Sequence, residues 1–392
     1  TEIDLNQATV ASARILATAH GIYDLAINGA PISGHLFSPG WTAYEWRLPY
    51  QEWDVTALVQ DAAGAHAAEE AEAPDGAAPL TLSARLGNGW YRGKFGFGGA
   101  EANYGEELGL LAILEITYAD GQVQVIPTST AWQATTGEIV ENSIYLGQRN
   151  DARLRAQEGP ALTVTEAPFD HTRLVPQITE PITRQDVLAP QAIWTSPSGA
   201  TLIDFGQNLV GWLRITVAGD EGTEITLRHA EVLEHGELGT RPLRNATATD
   251  TFVLAGTGEE TFEPTFTFHG FRYAEVTGWP GEITAEAVRA VVVHNDLRPT
   301  STFACSDERV NQLISNSIWG QKGNFFAVPT DCPQRDERLG WTGDIAAYAA
   351  TAAFQFDVAD FLHSWLLDLA VETEAAGFVP VTIPDVIKLG HF

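Results

Sequence analysis

The stretch Thr330-Asp331-Cys332-Pro333-Gln334-Arg335-Asp336-Glu337-Arg338-Leu339-Gly340-Trp341-Thr342-Gly343-Asp344 carries four carboxylates, two guanidiniums and one indole in a single short run. Pro333, Gly340 and Gly343 restrict or relax the backbone at set points, so the run reads as an ordered loop rather than a surface helix. Carboxylates held beside arginines and an aromatic face suit glycoside hydrolysis, in which one acid protonates the leaving oxygen while others hold sugar hydroxyls. A solvated cluster of mixed charge is the competing reading. The flanks argue against it. Asn324-Phe325-Phe326-Ala327-Val328-Pro329 precedes the run and Ile345-Ala346-Ala347-Tyr348-Ala349-Ala350 follows it, so the charges are expected to line a cleft in which burial shifts carboxyl pKa values. Trp341 lies four residues after Glu337 and Asp344 seven after, which faces all three one way if the segment is locally helical.

Around this loop the apolar period is helical. Ser306 is the expected N-cap of a helix whose stripe is Val310, Leu313, Ile314, Ser317 and Ile318. Ile345 to Phe354 and Phe361 to Val371 read as two more, joined by a short turn around Gln355 to Asp360. Short connections indicate an antiparallel α/α arrangement, and three helices are too few to bury a core, so a larger helical domain is expected to continue past Phe392.

Upstream the period is two. Ala13 to Ala19 and Ile22 to Ile27 alternate, and Asn28-Gly29 then marks a hairpin turn; Ile113 to Tyr118, Asp120-Gly121 and Gln122 to Ile126 form another. Asp61 to Pro79, rich in Ala, Glu, Gly and Pro, reads as a long acidic surface loop. Pro160 to Pro197 reads as a linker or an irregular crossing. A second β region then runs to about Asn295, with His229 and His269 as lone, structural histidines. Trp41 and Trp90, on Gly-rich loops, serve either as sandwich core or as sugar-stacking platforms.

The 392 residues allow two or three domains, and a net charge of -29 repels phosphate backbones and anionic membrane surfaces, so no nucleic-acid or membrane partner is expected. The two cysteines, Cys305 and Cys332, fit a reducing, cytoplasmic setting. No His, Asp and Glu spacing matches a zinc or EF-hand site, so no cofactor or metal is expected; whether the first sandwich takes sugar or Ca²⁺ stays open. Methionine is absent even at position 1, so Thr1 is not expected to be the natural start.

Taken in order, these residues resemble the bacterial α-L-rhamnosidases, a family of inverting glycoside hydrolases. The resemblance runs through Pro39-Gly40-Trp41-Thr42, Gly89-Trp90-Tyr91-Arg92-Gly93, Asp204-Phe205-Gly206-Gln207-Asn208, Arg228-His229-Ala230-Glu231 and Phe268-His269-Gly270-Phe271-Arg272-Tyr273, and is most specific at Asp331 to Asp344. It implies two antiparallel β-sandwich domains, residues 1–165 and 166–297, ahead of the first helices of an α/α six-hairpin toroid, residues 298–392. It implies Glu337 as the general acid. Asp331 and Asp344 would hold sugar hydroxyls, Trp341 would pack on the deoxysugar, and Arg335 and Arg338 would orient the carboxylates or touch the sugar. The implied substrates are rhamnosylated glycosides or oligosaccharides, and a homodimer is compatible with the sequence. The family's general base lies far downstream of this loop, so the chain by itself is expected to be inactive or nearly so. The alternatives are a carbohydrate-binding fragment without catalysis, and a related glycosidase acting on another sugar.

Overall fold

The computed structural model describes residues 1–389 apart from Gln7, 73–78, Gly98, Ala156 and Glu158. The architecture is mostly β up to Asn295, with three long helices after it. The alternating segments near the N-terminus form two sheets. In one, Val10–His20 is central, pairing antiparallel with Leu48–Asp54 and with Gly109–Tyr118, which in turn pairs with Val123–Pro127. In the other, Leu80–Gly87 pairs with Ile22–Ile27, which turns into Ala30–Pro31. The expected hairpin turn is there: Asn28 and Gly29 take φ of 48° and 77°, the left-handed conformation that Asn and Gly tolerate best. Ile15, Leu25, Leu82, Leu114 and Ile116 from the inward faces make the core between the two sheets.

From Asp61 to Glu72 the chain is not the surface loop that its composition suggested. Thr56–Glu72 is an α-helix, because an alanine-rich run without internal proline favours helix whatever its charge, and Val59 anchors it in the core. Of the Asp61-to-Pro79 stretch, 73–78 lie outside the described residues. Nor is Pro160 to Pro197 a linker. Leu174–Pro176 adds a parallel strand beside Leu48–Asp54, Ile182–Leu188 pairs with Val288–Asn295, and Ala192–Thr195 pairs with Thr201–Ala218. Pro176, Pro181 and Pro190 stand at strand ends, where a missing N–H breaks no ladder.

The second large sheet has ten strands, centred on His269–Thr277, Thr201–Ala218 and Val288–Asn295. Ile139–Ser143 and Gly147–Asp151, which precede the proline-rich stretch, hydrogen-bond into this sheet rather than the first two. That crossing matters for the site, because the hairpin between them carries Tyr145.

The helices fall close to expectation: Glu308–Asn324, Thr342–Gln355 and Ala359–Ala376. The first is capped by Asp307, not Ser306; the Asp307 side chain accepts from the Arg309 amide, which a carboxylate does better than the preceding hydroxyl. Its stripe is only half covered, with Val310 and Leu313 exposed, since no described element packs over that face. The three regions meet in one apolar cluster: Phe37, Trp41 and Trp90 from the first, Trp212 and Phe268 from the second, Phe326, Leu339, Phe361 and Trp365 from the helical part. The Asp331–Asp344 loop is laid across this junction.

Candidate active site

From Asp331 to Trp341 the chain is irregular, and the helix starts only at Thr342. Glu337, Trp341 and Asp344 therefore do not share a helical face. The glycine chemistry explains the path: a Cβ on Gly340 would sit 2.1 Å from the Ile383 carbonyl oxygen, so only glycine allows this close approach. Asp331 is tied to the far end of the loop by a 3.0 Å hydrogen bond that its Oδ1 accepts from the Leu339 amide.

Arg335 joins the two predicted carboxylates. Its Nη2 donates to Asp331 Oδ2 at 3.1 Å and its Nε to Glu337 Oε2 at 2.9 Å. Burial raises the Asp331 pKa and the charge of Glu337 adds to this, while hydrogen bonds from Cys332 and the Leu339 amide, and the charge of Arg335, pull the other way. Burial likewise pushes the Cys332 thiol up, which leaves it a protonated spectator rather than a nucleophile.

Arg338 has a different part from Arg335. It is fully enclosed, and it donates to the carbonyls of Ile144 and Phe268 at 2.9 Å and to those of Gln334 and Arg335 at 3.1 Å. Its guanidinium carbon lies 4.9 Å from the ring centres of both Tyr145 and Phe268. Burial brings its pKa down to about 10, which still leaves it charged at neutral pH. Arg338 thus clamps the loop onto the β part and, engaged as it is, is not free to contact a sugar.

Trp341 is half-buried; its indole N–H has no partner among the described residues, and its ring meets Phe97 edge-on at 6.3 Å. Asp344 is exposed in the first turn of Thr342–Gln355, and among the described residues no hydrogen bond or ion pair joins it to Asp331 or Glu337. The structure therefore brings Asp331, Arg335 and Glu337 into direct contact, sets Trp341 beside Phe97, and leaves Asp344 at the helix start.

Several neighbours escaped the sequence reading. Arg244 Nη1 lies 3.2 Å from Glu337 Oε2, and Asn245 donates to Asp336 Oδ2 at 2.6 Å. Both come from the turn between Thr240 and Ala248, whose only sequence signal is an arginine pair, Arg241 and Arg244, in a strongly acidic chain. Glu231, within the Arg228-to-Glu231 motif, is bonded to Asn208 at 2.9 Å; burial raises its pKa, and that bond together with the charges of Arg335 and Arg338 opposes the rise.

Among the described residues, two groups bring three potential metal donors within 4.8 Å: Asp331, Cys332 and Glu337, and the fully buried His229, Asp250 and His269. In the first, Arg335 already occupies both carboxylates. In the second, the histidines read as lone residues are in fact stacked at 4.2 Å, and His269 Nε2 lies 3.1 Å from each Asp250 oxygen. Burial, reinforced by His269, lowers His229 to about 3, so it is neutral and fastened to the Ala248 carbonyl. Trp41 and Trp90 are buried and stacked on each other at 5.8 Å, which rules them out as open sugar platforms.

Three family descriptions match the chain in succession: the alpha-L-rhamnosidase N-terminal domain over 8–72 and 77–191, the bacterial alpha-L-rhamnosidase concanavalin-like domain over 194–294, and the bacterial alpha-L-rhamnosidase 6 hairpin glycosidase domain over 298–392. The chain belongs to the bacterial α-L-rhamnosidase family. This α-L-rhamnosidase-family chain is 40% identical over 400 residues to an alpha-L-rhamnosidase of Streptomyces avermitilis, a match covering all of the chain and 37% of that protein. The crystal structure of the Streptomyces avermitilis enzyme complexed with L-rhamnose superposes with a TM-score of 0.91 at 40% identity, over 100% of this chain and 37% of that one. The native Aspergillus terreus enzyme gives 0.91 and 40%, over 98% of this chain and 44% of that one. The rhamnosidase-family chain spans about two-fifths of the length of the curated relatives it matches.

Proposed function

We propose that the protein removes terminal, non-reducing α-L-rhamnose from glycosides or oligosaccharides with inversion, and that Glu337 is the general acid. The observation that carries this is the one-sided engagement of its carboxyl group: the described bonds from Arg335 and Arg244 both end on Oε2. A proton on Oε1 is compatible with both, because the other oxygen then accepts from the two guanidiniums as a carbonyl does. Oε1 delivers that proton to the glycosidic oxygen as the C–O bond breaks and its electron pair stays on the leaving group. Water attacks the anomeric carbon from the opposite face and loses its proton to a base about 6.5–9.5 Å from the acid. That base is assigned to no residue of this chain.

Asp331, fixed between Arg335 and the Leu339 amide, and Asp344 are the candidates to hold sugar hydroxyls; Trp341 packs on the partly apolar deoxysugar. The same reading carries the finer architecture: antiparallel β-sandwiches over 1–165 and 166–297, with the hairpin at 139–151 crossing between them, and the opening helices of an α/α toroid over 298–392. Among the described residues no helix is long and apolar enough to cross a membrane. The two free cysteines, Cys305 and Cys332, support a reducing, cytoplasmic setting, and a homodimer is compatible.

The test is release of L-rhamnose from an aryl α-L-rhamnoside by the full-length gene product, beside aryl glycosides of other sugars, with the anomer of the first product followed by NMR. β-L-rhamnose as the first product supports the reading. Turnover of another sugar alone overturns the substrate, and an α-product overturns inversion.

A further inference from the structure

The hairpin between Ile139–Ser143 and Gly147–Asp151 carries one tyrosine whose hydroxyl is fully used. Tyr145 donates to the main-chain carbonyl of Glu337 and accepts the Gly96 amide at 2.8 Å. Gly96 has φ of 72° and precedes Phe97, the exposed aromatic that meets Trp341 edge-on. The Tyr145 main chain is tied to a third element: its carbonyl accepts the Ala248 amide at 3.1 Å, at the end of the turn that supplies Arg244 to Glu337. Its ring is 2% exposed and lies against the Arg338 guanidinium, which is pinned in turn to the carbonyl of the preceding Ile144. One residue thus stands where the Phe97 loop, the Arg244 turn and the Glu337 loop meet, three segments distant in sequence, its side chain joining the first and third and its main chain the second.

We infer that Tyr145 is a positioning residue for the acid step, its hydroxyl fixing the main chain of Glu337 and the Phe97 loop as one unit. The inference rests on the reading of Glu337 as general acid. The physical reason is that Glu337 sits on irregular backbone, with no helix or sheet ladder to hold it. A side chain on such a segment wanders unless its own peptide is anchored, and sub-ångström placement decides proton-transfer efficiency. Tyr145 gives that anchor from the turn of a hairpin that is paired into the ten-stranded sheet. Without the hydroxyl, the Glu337 carbonyl and the Gly96 amide both lose a partner in a buried place, and the segments shift independently.

Tyr145→Phe in the full-length enzyme tests this on two aryl α-L-rhamnosides, one with a good and one with a poor leaving group. General-acid catalysis matters most when the leaving group is poor. The expected result is a kcat lower by tenfold or more on the poor leaving group, with less than a threefold loss on the good one and KM within twofold on both. A purely structural loss of folded enzyme lowers both rates equally, so an equal loss overturns the inference, as does an unchanged ratio. Should Tyr145→Phe not fold, 3-fluorotyrosine at 145 replaces it, because it keeps the shape and makes the hydroxyl a stronger donor. The leaving-group dependence must then move, and identity with wild type overturns the inference. Wild type inactive on every α-L-rhamnoside removes the functional reading itself. Active wild type with an indifferent variant removes only the positioning role.

Discussion

Arg244, carried by the β part of the chain, places its guanidinium 3.2 Å from Glu337 Oε2, although 93 residues separate the two in sequence. The contact joins the second sheet to the Asp331–Asp344 loop, and Arg244 holds a positive φ of 56°. A non-glycine residue held there stores strain of the kind found at functional sites. Replacing Arg244 with alanine removes one charge-assisted hydrogen bond of about 1.5–3 kcal/mol. In the full-length enzyme kcat/KM is expected to fall by about one to two decades, with lysine restoring part of it. Steady-state kinetics on an aryl α-L-rhamnoside checks this, and unchanged kcat/KM would show Arg244 to be a bystander.

Arg338 sets the stability of the same loop. Methionine at 338 keeps most of the stem but leaves the carbonyls of Ile144, Phe268, Gln334 and Arg335 without their donor. The loss is expected to be about 3–5 kcal/mol, visible as a clear drop in Tm by calorimetry. A Tm within a degree of wild type would contradict the clamp.

Gly340→Ala is a sharper steric test. Its Cβ would press on the Ile383 carbonyl at 2.1 Å, so backbone must move, at a cost of about 1–3 kcal/mol. Denaturant unfolding is expected to show a lower midpoint. The neighbouring Gly343, where a Cβ meets nothing within 4 Å, is the control that is expected to tolerate alanine much better.

Stability against pH carries the signature of Asp368. It is buried on Ala359–Ala376 and paired with Arg47 of the first β region at 2.6 Å. Burial raises it to about 7, more than Arg47 lowers it. Between about pH 4 and 7 the folded state therefore holds the proton more tightly than the unfolded one. The contribution is fully present below about pH 4 and is lost as pH rises to about 7, by up to ~1.4 kcal/mol per pH unit. His229, lowered to about 3, acts oppositely: its contribution is lost as pH falls from about 6.5 toward 3. The difference in unfolding free energy between wild type and Asp368→Asn isolates the first effect. That difference is expected to change steadily from pH 4 to 7, and a constant difference would refute it.

Much of the fold was legible because it rests on local periodicity. Alternation placed Val10–His20 and Ile22–Ile27, and Asn28-Gly29 placed the turn from Ile22–Ile27 into Ala30–Pro31. Thr56–Glu72 was hidden because its composition resembles a disordered acidic run, and the strands at 174–195 were hidden by prolines that only mark their ends. The site divides the same way. Asp331, Arg335 and Glu337 lie within one motif and come together by short-range geometry. Arg244, Asn245, Tyr145 and Phe97 reach the site from separate segments through sheet pairing and loop packing, which no spacing along the chain encodes.

The central assignment is tested most directly by Glu337→Gln in the full-length enzyme, acting on an aryl α-L-rhamnoside with a poor leaving group. Glutamine keeps the shape and still accepts from Arg335 and Arg244 through its carbonyl oxygen, but has no acidic proton to give. The account predicts a loss of about two decades or more in kcat, and a much smaller loss when the leaving group needs no protonation. Full activity of the folded variant on the poor leaving group would contradict it and move the proton donor to another residue.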